Sequence, residues 1–254
     1  MKNMIRLIRN SDSDNERLSQ ILTPIDNALK NFDFSNVIVK KPWGYEYLMY
    51  QNDKVSIWIL HIKSGCLTSM HCHINKKTAL IVLCGEAVFT TLEQGLDLKE
   101  GDALILDKKV FHSTQAISAD GAIVMEIETP TLKTDLLRLS DDYGRQSKGY
   151  ESKSEMSYDL SNYECVFFKK NEFEIMKKIR DRELSLTRFH DDKEIADHLK
   201  RMGEGIGVIL NGGLIDDNNG ERSFIGDIID ILSLNKKNHV LIAQGQLEIL
   251  KIKI

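Results

Sequence analysis

The sequence has few cysteines, no concentrated run of basic residues and no long apolar run. Its 254 residues include four cysteines, a low count for a disulfide framework, so we expect reduced thiols. No run approaches the roughly 18 apolar residues that a membrane-spanning helix needs. Residues 1–10 carry three basic and no acidic side chains, and they lack the apolar core of a signal peptide. Together these absences predict a cytoplasmic protein without a membrane partner.

The charges are nearly balanced, with 34 basic and 38 acidic residues and a formal net charge of −4. Nucleic acids and anionic membranes are bound by clustered lysines and arginines, and the sequence has no such tract. We therefore expect no nucleic-acid partner. The length suits one large domain or two small ones, each with its own core.

The N-terminal region has the spacing of an amphipathic helix over residues 11–32. Apolar side chains recur there at helical intervals, and Ser11 or Ser13 is suited to the N-cap. Pro24 is expected to kink or split the helix, because proline lacks the backbone N–H. We assign residues 1–36 to an N-terminal helical segment that packs on the next domain or on a partner subunit.

Beyond this segment the pattern changes to short β-rich runs separated by glycine, proline and other turn residues. The predicted strands are Val37–Val39, Tyr45–Tyr50, Val55–Ile62, Ala79–Leu83, Ala87–Thr91, Ala103–Leu106 and Ile123–Ile127. Many short strands at this spacing are typical of an all-β sandwich or barrel. We therefore predict an all-β fold with a first barrel over residues 37–149.

The second half of the chain repeats part of the first. Gly226-Asp227 aligns with Gly101-Asp102, and each pair follows an apolar run that ends in glycine, at Gly212 and Gly85 respectively. This repeat predicts a second, degenerate β-barrel over residues 150–254, which we expect to lack a metal site. Its predicted elements are a linker at 150–160, a helix at Asp191–Met202 and strands at Ile206–Leu210, Ser223–Leu234 and Val240–Ile254.

His71-Cys72-His73 and His112 form the candidate metal site. Side chains at i and i+2 on a strand point to the same face, so His71 and His73 can share one metal ion. Cys72 then faces the other way and is predicted to be a core thiol. A histidine from a neighbouring strand, His112, would complete a set of three imidazoles.

The spacing Gly65-x5-His71-x-His73, then Gly85, then Gly101-x10-His112, resembles the two motifs of the cupin superfamily. The resemblance implies a small β-barrel with a divalent metal inside, such as zinc, iron, manganese or nickel. Combined with the internal repeat, it implies a bicupin, in which two cupin-like barrels follow an N-terminal helical segment.

Two further motifs narrow the resemblance. Lys41-Pro42-Trp43-Gly44 and Asp135–Arg145 are similar to the cupin domain of type II mannose-6-phosphate isomerases and of related cupins in surface-polysaccharide and nucleotide-sugar pathways. This similarity covers residues 37–146 and implies a phosphorylated sugar or a nucleotide sugar as the small-molecule substrate. Cupins commonly pair through edge strands, which predicts a homodimer.

One position departs from the family. The family's acidic metal ligand should follow the position of His73 by four or five residues, and this sequence has Lys77 and Thr78 there. An ammonium beside a divalent ion is unfavourable, because like charges repel in a low-dielectric pocket. The site therefore uses three histidines, takes a fourth ligand from elsewhere, or binds metal weakly.

Three residues are candidates for acid–base catalysis. Glu126 and Glu128 share one strand face and can supply a general base or the missing acidic ligand, with a solvated face as the alternative. His61 lies on a strand and can face the cavity, with a structural histidine as the alternative.

Candidate substrate-binding residues are basic or aromatic. Arg138 and Arg145 can clamp an anion through bidentate contacts, or serve structure alone if they pair with Asp141 or Asp142. Lys76 and Lys77 are expected in a solvated turn, with a phosphate contact as the functional alternative, for which Lys77 is the candidate. Trp43 can pack at the barrel edge or stack on a sugar.

Three functional hypotheses follow. The first is an isomerase or epimerase of a sugar phosphate or nucleotide sugar in surface-polysaccharide biosynthesis, working by proton transfer beside a metal. The second is a non-haem iron dioxygenase with three histidine ligands. The third is a non-catalytic cupin that binds a sugar nucleotide or regulates a partner enzyme.

Overall fold

A computed structural model describes residues 4–21, 29, 32–146, 148–189, 195, 199, 203–216, 220–236 and 241–253. Strands dominate these residues, which confirms the predicted all-β class. The N-terminal elements are β1 (Ile5–Ile8) and α1 (Asp12–Gln20). The next strands are β2 (Ile38–Lys41), β3 (Gly44–Gln51), β4 (Ser56–Ile62), β5 (Met70–Cys72), β6 (Lys77–Cys84), β7 (Glu86–Thr91), β8 (Gly95–Lys99), β9 (Ala103–Leu106), β10 (His112–Ala116), β11 (Ala122–Thr129), β12 (Leu137–Ser140) and β13 (Met156–Ser157).

The second half begins after a short 3-10 helix at Lys153–Glu155 and the strand β13. Its elements are β14 (Met176–Ile179), β15 (Arg182–Arg188), β16 (Ile206–Asp216), β17 (Glu221–Phe224), β18 (Ile228–Asp230), α2 (Ile231–Lys236) and β19 (Leu241–Lys253). The predicted strand over 223–234 is therefore wrong, because this stretch forms two short strands and a helix. Strands β14 and β15 were not predicted.

Two sheets form the first unit. One has eight strands in the order β1-β9-β6-β11-β4-β3-β2-β13, and the other has five in the order β12-β5-β10-β7-β8. From β4 to β12 the chain passes repeatedly between the two sheets, so the strands wind as a double-stranded β-helix. This is the barrel that the cupin resemblance implies, and each predicted strand between Val37 and Ile127 overlaps an observed one.

Strand alternation separates the inside of the barrel from its outside. On β4, Trp58 and Leu60 belong to the inner cluster of buried side chains, while Ile57 and Ile59 belong to a cluster on the outer face. That outer cluster also contains residues of the second unit, such as Leu250. The two units therefore share a core, and the division near residue 150 stays a prediction.

Helix α1 packs on the outer face of the five-stranded sheet, where Leu18 lies against the cluster of Cys72, Phe111 and Leu137. Ser11 is its N-cap, as one of the two predicted alternatives stated, and forms a capping box with Asp14. The other carboxylate oxygen of Asp14 accepts the backbone N–H of Phe111 at 2.9 Å, which ties the helix to the start of β10. The remainder of the predicted helix, with Pro24, lies largely outside the described residues.

The second unit forms a six-stranded sheet, β14-β15-β19-β16-β17 with β18 beside β16. Its pairing follows that of the first unit: β16 pairs with β19 as β6 pairs with β11, and β15 pairs with β19 as β4 pairs with β11. Phe189, Ile209, Leu214, Ile249 and other apolar side chains pack together on one face of this sheet. The predicted helix at 191–202 lies largely outside the described residues.

The aligned Gly-Asp turns make the same backbone hydrogen bonds. In both turns the glycine has a positive φ, 86° at Gly101 and 84° at Gly226, which glycine adopts at low cost. In the first turn the backbone N–H groups of Gly101, Val82 and Asp102 donate to the carbonyl oxygens of Val82, Asp102 and Lys99 respectively. In the second turn the equivalent N–H groups of Gly226, Ile209 and Asp227 donate to the carbonyl oxygens of Ile209, Asp227 and Phe224 respectively. This correspondence supports the predicted internal repeat.

The stretch over 150–160 is not a free linker. Met156 and Ser157 form β13, which pairs with β2 at Val39 and Ile38. Tyr150 is 8% exposed and Glu151 is 7% exposed, so the start of the segment is part of the barrel wall.

Candidate metal centre

Three strands of the barrel bring the predicted ligands together. His71 on β5 lies opposite His112 on β10 in the antiparallel pair, and His73 follows β5 on the same face. Glu126 lies on β11 opposite Trp58 and faces inward as that residue does. One ligand atom from each of His71, His73, His112 and Glu126 lies within 4.8 Å of the other three.

The histidines are held in one orientation by backbone carbonyls. The Nδ1 atoms of His71, His73 and His112 lie 2.7, 2.6 and 2.9 Å from the carbonyl oxygens of Ser69, Asp135 and Val110. A carbonyl only accepts, so each Nδ1 carries the proton and donates. Each Nε2 therefore keeps its lone pair, which is the usual arrangement of metal-binding histidines.

One of these lone pairs has no partner within the part of the chain that the structure describes. It belongs to Nε2 of His73, which is buried and lies 3.7 Å from Oε1 of Glu126. A buried polar atom without a partner is costly unless a ligand satisfies it. The four residues therefore fit a divalent metal ion, with three nitrogens and one carboxylate as donors.

Burial keeps two of the imidazoles neutral. It lowers the pKa of His71 well below the usual value and that of His112 to about 4, and the neighbouring histidines lower both further. At neutral pH both side chains are therefore in the form that binds metal.

His71, His73 and Glu126 line a cavity that is rich in charged groups and has about 40 Å³ of space for water-sized molecules. Lys76 and Glu128 form an ion pair of 2.6 Å in its wall, and each side chain is 1% exposed. The expected solvated turn at Lys76 is therefore wrong, and so is the solvated face suggested for Glu126 and Glu128, which are 6% and 1% exposed.

Three further cavity residues were missed. Lys133 lies between Glu46, Glu126 and Glu128, while Lys41 pairs with Glu46 at 3.3 Å. Glu46 could have been found from strand alternation, because it shares the inward face of β3 with Leu48. Lys133 has no such signal, because it lies in a loop.

The two predicted arginines line the cavity but are largely engaged by the protein. Arg145 pairs with Asp141 and with Glu151, both at 2.6 Å. The pairing with Asp141 is the structural alternative predicted for this arginine from the sequence. Arg138 pairs with Glu151 at 3.1 Å and donates to the carbonyl oxygen of Lys148 at 2.8 Å. Its Nε is buried and has no hydrogen-bond partner among the described residues.

Lys77 and His61 were predicted at the site and lie elsewhere. Lys77 points out of the barrel and pairs with Asp227 of the second unit at 2.6 Å. His61 stacks on Tyr45, with 4.3 Å between ring centroids, on the outer face of β4. Both corrections follow from alternation: a strand residue next to an inward one faces outward.

Trp43 and Cys72 are both buried beside the site. Trp43 lines the cavity and is 4% exposed within the inner apolar cluster. Cys72 packs against Phe111 and Leu137 on the far side of its strand, and burial raises the pKa of its thiol to about 12. All four cysteines are free thiols, as expected.

Asp135 fixes the turn that follows His73. Its carboxylate accepts the backbone N–H groups of Ile74, Asn75 and Lys76 at 3.2, 2.7 and 3.0 Å. We expect Asp135→Ala to lower the free energy of unfolding by about 2–4 kcal/mol, because these N–H groups lose their acceptor. Urea unfolding followed by circular dichroism measures this. Exposed Asp142→Ala is the matched control, expected to change it by less than about 0.5 kcal/mol; equal effects would contradict the assignment.

No family model and no curated protein matches this chain. Among solved structures, an RmlC-like cupin from Shewanella frigidimarina is similar at 18% identity and TM-score 0.34, over 37% of this chain and 83% of that one. A sugar phosphate isomerase of the cupin superfamily from Silicibacter pomeroyi is similar at 11% identity and TM-score 0.33, over 44% of this chain and 68% of that one. A protein with a double-stranded β-helix domain from Klebsiella pneumoniae is similar at 16% identity and TM-score 0.35, over 38% of this chain and 84% of that one.

These structural neighbours are cupin proteins, but at such identities and TM-scores they carry no argument about what this chain binds or does. The fold of the chain rests on its own strand pairing. Among the described residues, no helix is long and apolar enough to cross a membrane.

Proposed function

We propose that this chain is a divalent-metal enzyme that acts on a phosphorylated sugar by proton transfer, as an isomerase or epimerase. The observation that carries the proposal is the buried cluster of His71, His73, His112 and Glu126, with every Nδ1 engaged and one Nε2 unpartnered. Imidazole donors suit zinc, iron or nickel better than magnesium or calcium.

The charge of the cavity supports an anionic substrate. Its lining cations are Lys41, Lys76, Lys133, Arg138 and Arg145. They are matched in number by the lining carboxylates Glu46, Glu126 and Glu128 and by Asp141 and Glu151, which pair with the arginines. A divalent ion would leave two positive charges in excess. A phosphate monoester carries close to two negative charges at neutral pH and would restore the balance.

Glu128 is the proposed proton acceptor. Burial would raise its pKa, but Lys133 and Lys76 outweigh burial and lower it, so the carboxylate is ionised at neutral pH. Lys76 holds one of its oxygens and Ser56 the other, which fixes its direction. The bound metal would polarise the substrate carbonyl and stabilise the oxyanion that develops on proton removal.

Solvent exchange tests this proposal. In D₂O, the metal-loaded protein is expected to replace the carbon-bound proton beside the carbonyl of an aldose or ketose phosphate with deuterium, which proton NMR records. His73→Ala, which lacks one ligand, is expected to show no exchange. A metal-loaded protein that exchanges no proton across a panel of sugar phosphates and nucleotide sugars would contradict the proposal and favour a non-catalytic binding role.

The dioxygenase hypothesis required a set of three histidines without a carboxylate. The inward position of Glu126 does not favour it, and substrate-dependent oxygen uptake by the iron-loaded protein would be the result that restores it. Cytoplasmic location and a homodimer are further parts of the proposal, and light scattering during gel filtration tests the dimer.

A further inference from the structure

Lys133 occupies an unusual position in the metal cavity. It lies in the loop between β11 and β12, its side chain is 10% exposed, and its Nζ is 3.1, 3.5 and 3.4 Å from Glu46, Glu126 and Glu128. The same ammonium lies 3.8 Å from the centre of the Trp58 ring. One lysine therefore neutralises part of three carboxylates from two strands.

The three carboxylates differ in what else they contact. Glu128 has Lys76 at 2.6 Å and Glu46 has Lys41 at 3.3 Å. For Glu126, the contacts within the described part of the chain are Lys133 and His73, which lies 3.7 Å away. Lys133 is thus the lysine in ion-pair contact with the one carboxylate of the metal cluster.

We infer that Lys133 is an internal competitor of the metal for Glu126 and sets the metal affinity of the site. The inference rests on the proposed function, since it requires a metal at the cluster. The ammonium faces Oε2 of Glu126 and the histidine cluster faces Oε1, and two cations on one buried carboxylate repel each other strongly. Metal binding therefore displaces the ammonium from Glu126, and Glu46, Glu128 and the Trp58 ring remain to hold it.

Displacement also gives the lysine a second role. Once it has left Glu126, its charge is available to an anionic group of the substrate beside the metal. The metal-free site has balanced charges, and the loaded site offers this ammonium to the phosphate. Lys133 is therefore a positioning residue for the metal and a specificity-determining residue for the substrate.

Metal titration tests the inference without reference to turnover. Apo protein is titrated with Co²⁺, whose visible absorption reports coordination, in the wild type, Lys133→Met and Lys133→Arg. Methionine keeps the apolar stem over Trp58 and removes the charge, so we expect Kd to fall at least about tenfold, or about 1.4 kcal/mol. Arginine keeps the charge, and its Kd is expected to stay within about threefold of the wild type.

Equal or weaker Co²⁺ binding by Lys133→Met would overturn the inference and leave the proposed function standing. Absence of Co²⁺ binding in all three proteins would overturn both. A crystal structure of the zinc-loaded wild type provides a test that needs no variant. We expect Nζ of Lys133 to lie beyond about 4 Å from Glu126, the limit for an ion pair, and an ammonium that stays in contact would overturn the inference.

Discussion

His73→Ala is expected to reduce bound metal from about one equivalent per chain to less than about a tenth of that after gel filtration. The variant loses one of three imidazoles, and even the loss of an outer partner of a ligand typically costs about 10–100-fold in metal affinity. Elemental analysis by plasma mass spectrometry measures the effect. Circular dichroism checks that the variant keeps its fold.

His61→Ala is the matched control for this prediction. His61 is also a histidine of the first unit with a buried, unpartnered Nε2, and burial lowers its pKa to about 4. It lies on the outer face of β4, so its loss is expected to leave the metal content unchanged. Equal metal loss in both variants would mean that the cluster is not the binding site.

Lys76→Met is expected to lower the free energy of unfolding by about 3–5 kcal/mol, the usual effect of breaking a buried ion pair. The substitution leaves Glu128, 1% exposed, without its closest counter-ion. Urea unfolding at neutral pH measures the change. The double variant Lys76→Met/Glu128→Leu should recover most of the loss, because it also removes the buried charge.

Lys77→Met is the neighbouring control. The Lys77 side chain is 35% exposed and pairs with Asp227, so its loss should cost at most about 1 kcal/mol. Similar losses from Lys76 and Lys77 would contradict the assignment of the inward lysine.

The buried pair also has a pH signature. The lysines lower the pKa of Glu128 in the folded state despite burial, so the pair stabilises the fold above the unfolded pKa of about 4.3. This contribution is lost as the pH falls through the folded pKa. Removing Lys76 raises that pKa, so Lys76→Met is expected to unfold at a higher pH than the wild type during acid titration.

The sequence allowed prediction of the strands whose apolar residues alternate or cluster, and of the ligands that share one strand face. Strand β10 escaped prediction, because His-Ser-Thr-Gln-Ala carries little apolar signal. The histidine pair needed only the two-residue repeat of a strand. Whether Glu126 belongs to the metal cluster depends on which face of β11 points inward, and that is decided by the pairing of β11 with β4 and β6.

The lysines show most clearly what spacing along the sequence cannot predict. Spacing from His73 drew attention to Lys77, whereas Lys76 enters the cavity. A shift of one residue reverses every side chain of a strand, so sequence spacing alone could not assign the face. Lys133 comes from a loop, whose path depends on long-range packing rather than on local pattern.

The shared core between the two units has a consequence for assembly. The six-stranded sheet of the second unit covers the outer face of β3, β4, β6 and β11. Leu184 of the second unit belongs to the same buried cluster as Tyr47 and Met125 of the first. A sheet face of this kind is where a second copy of a single barrel could stack, and here the same chain fills it. The second unit thus occupies that face, so the predicted homodimer would have to use other surfaces, such as the edge strands.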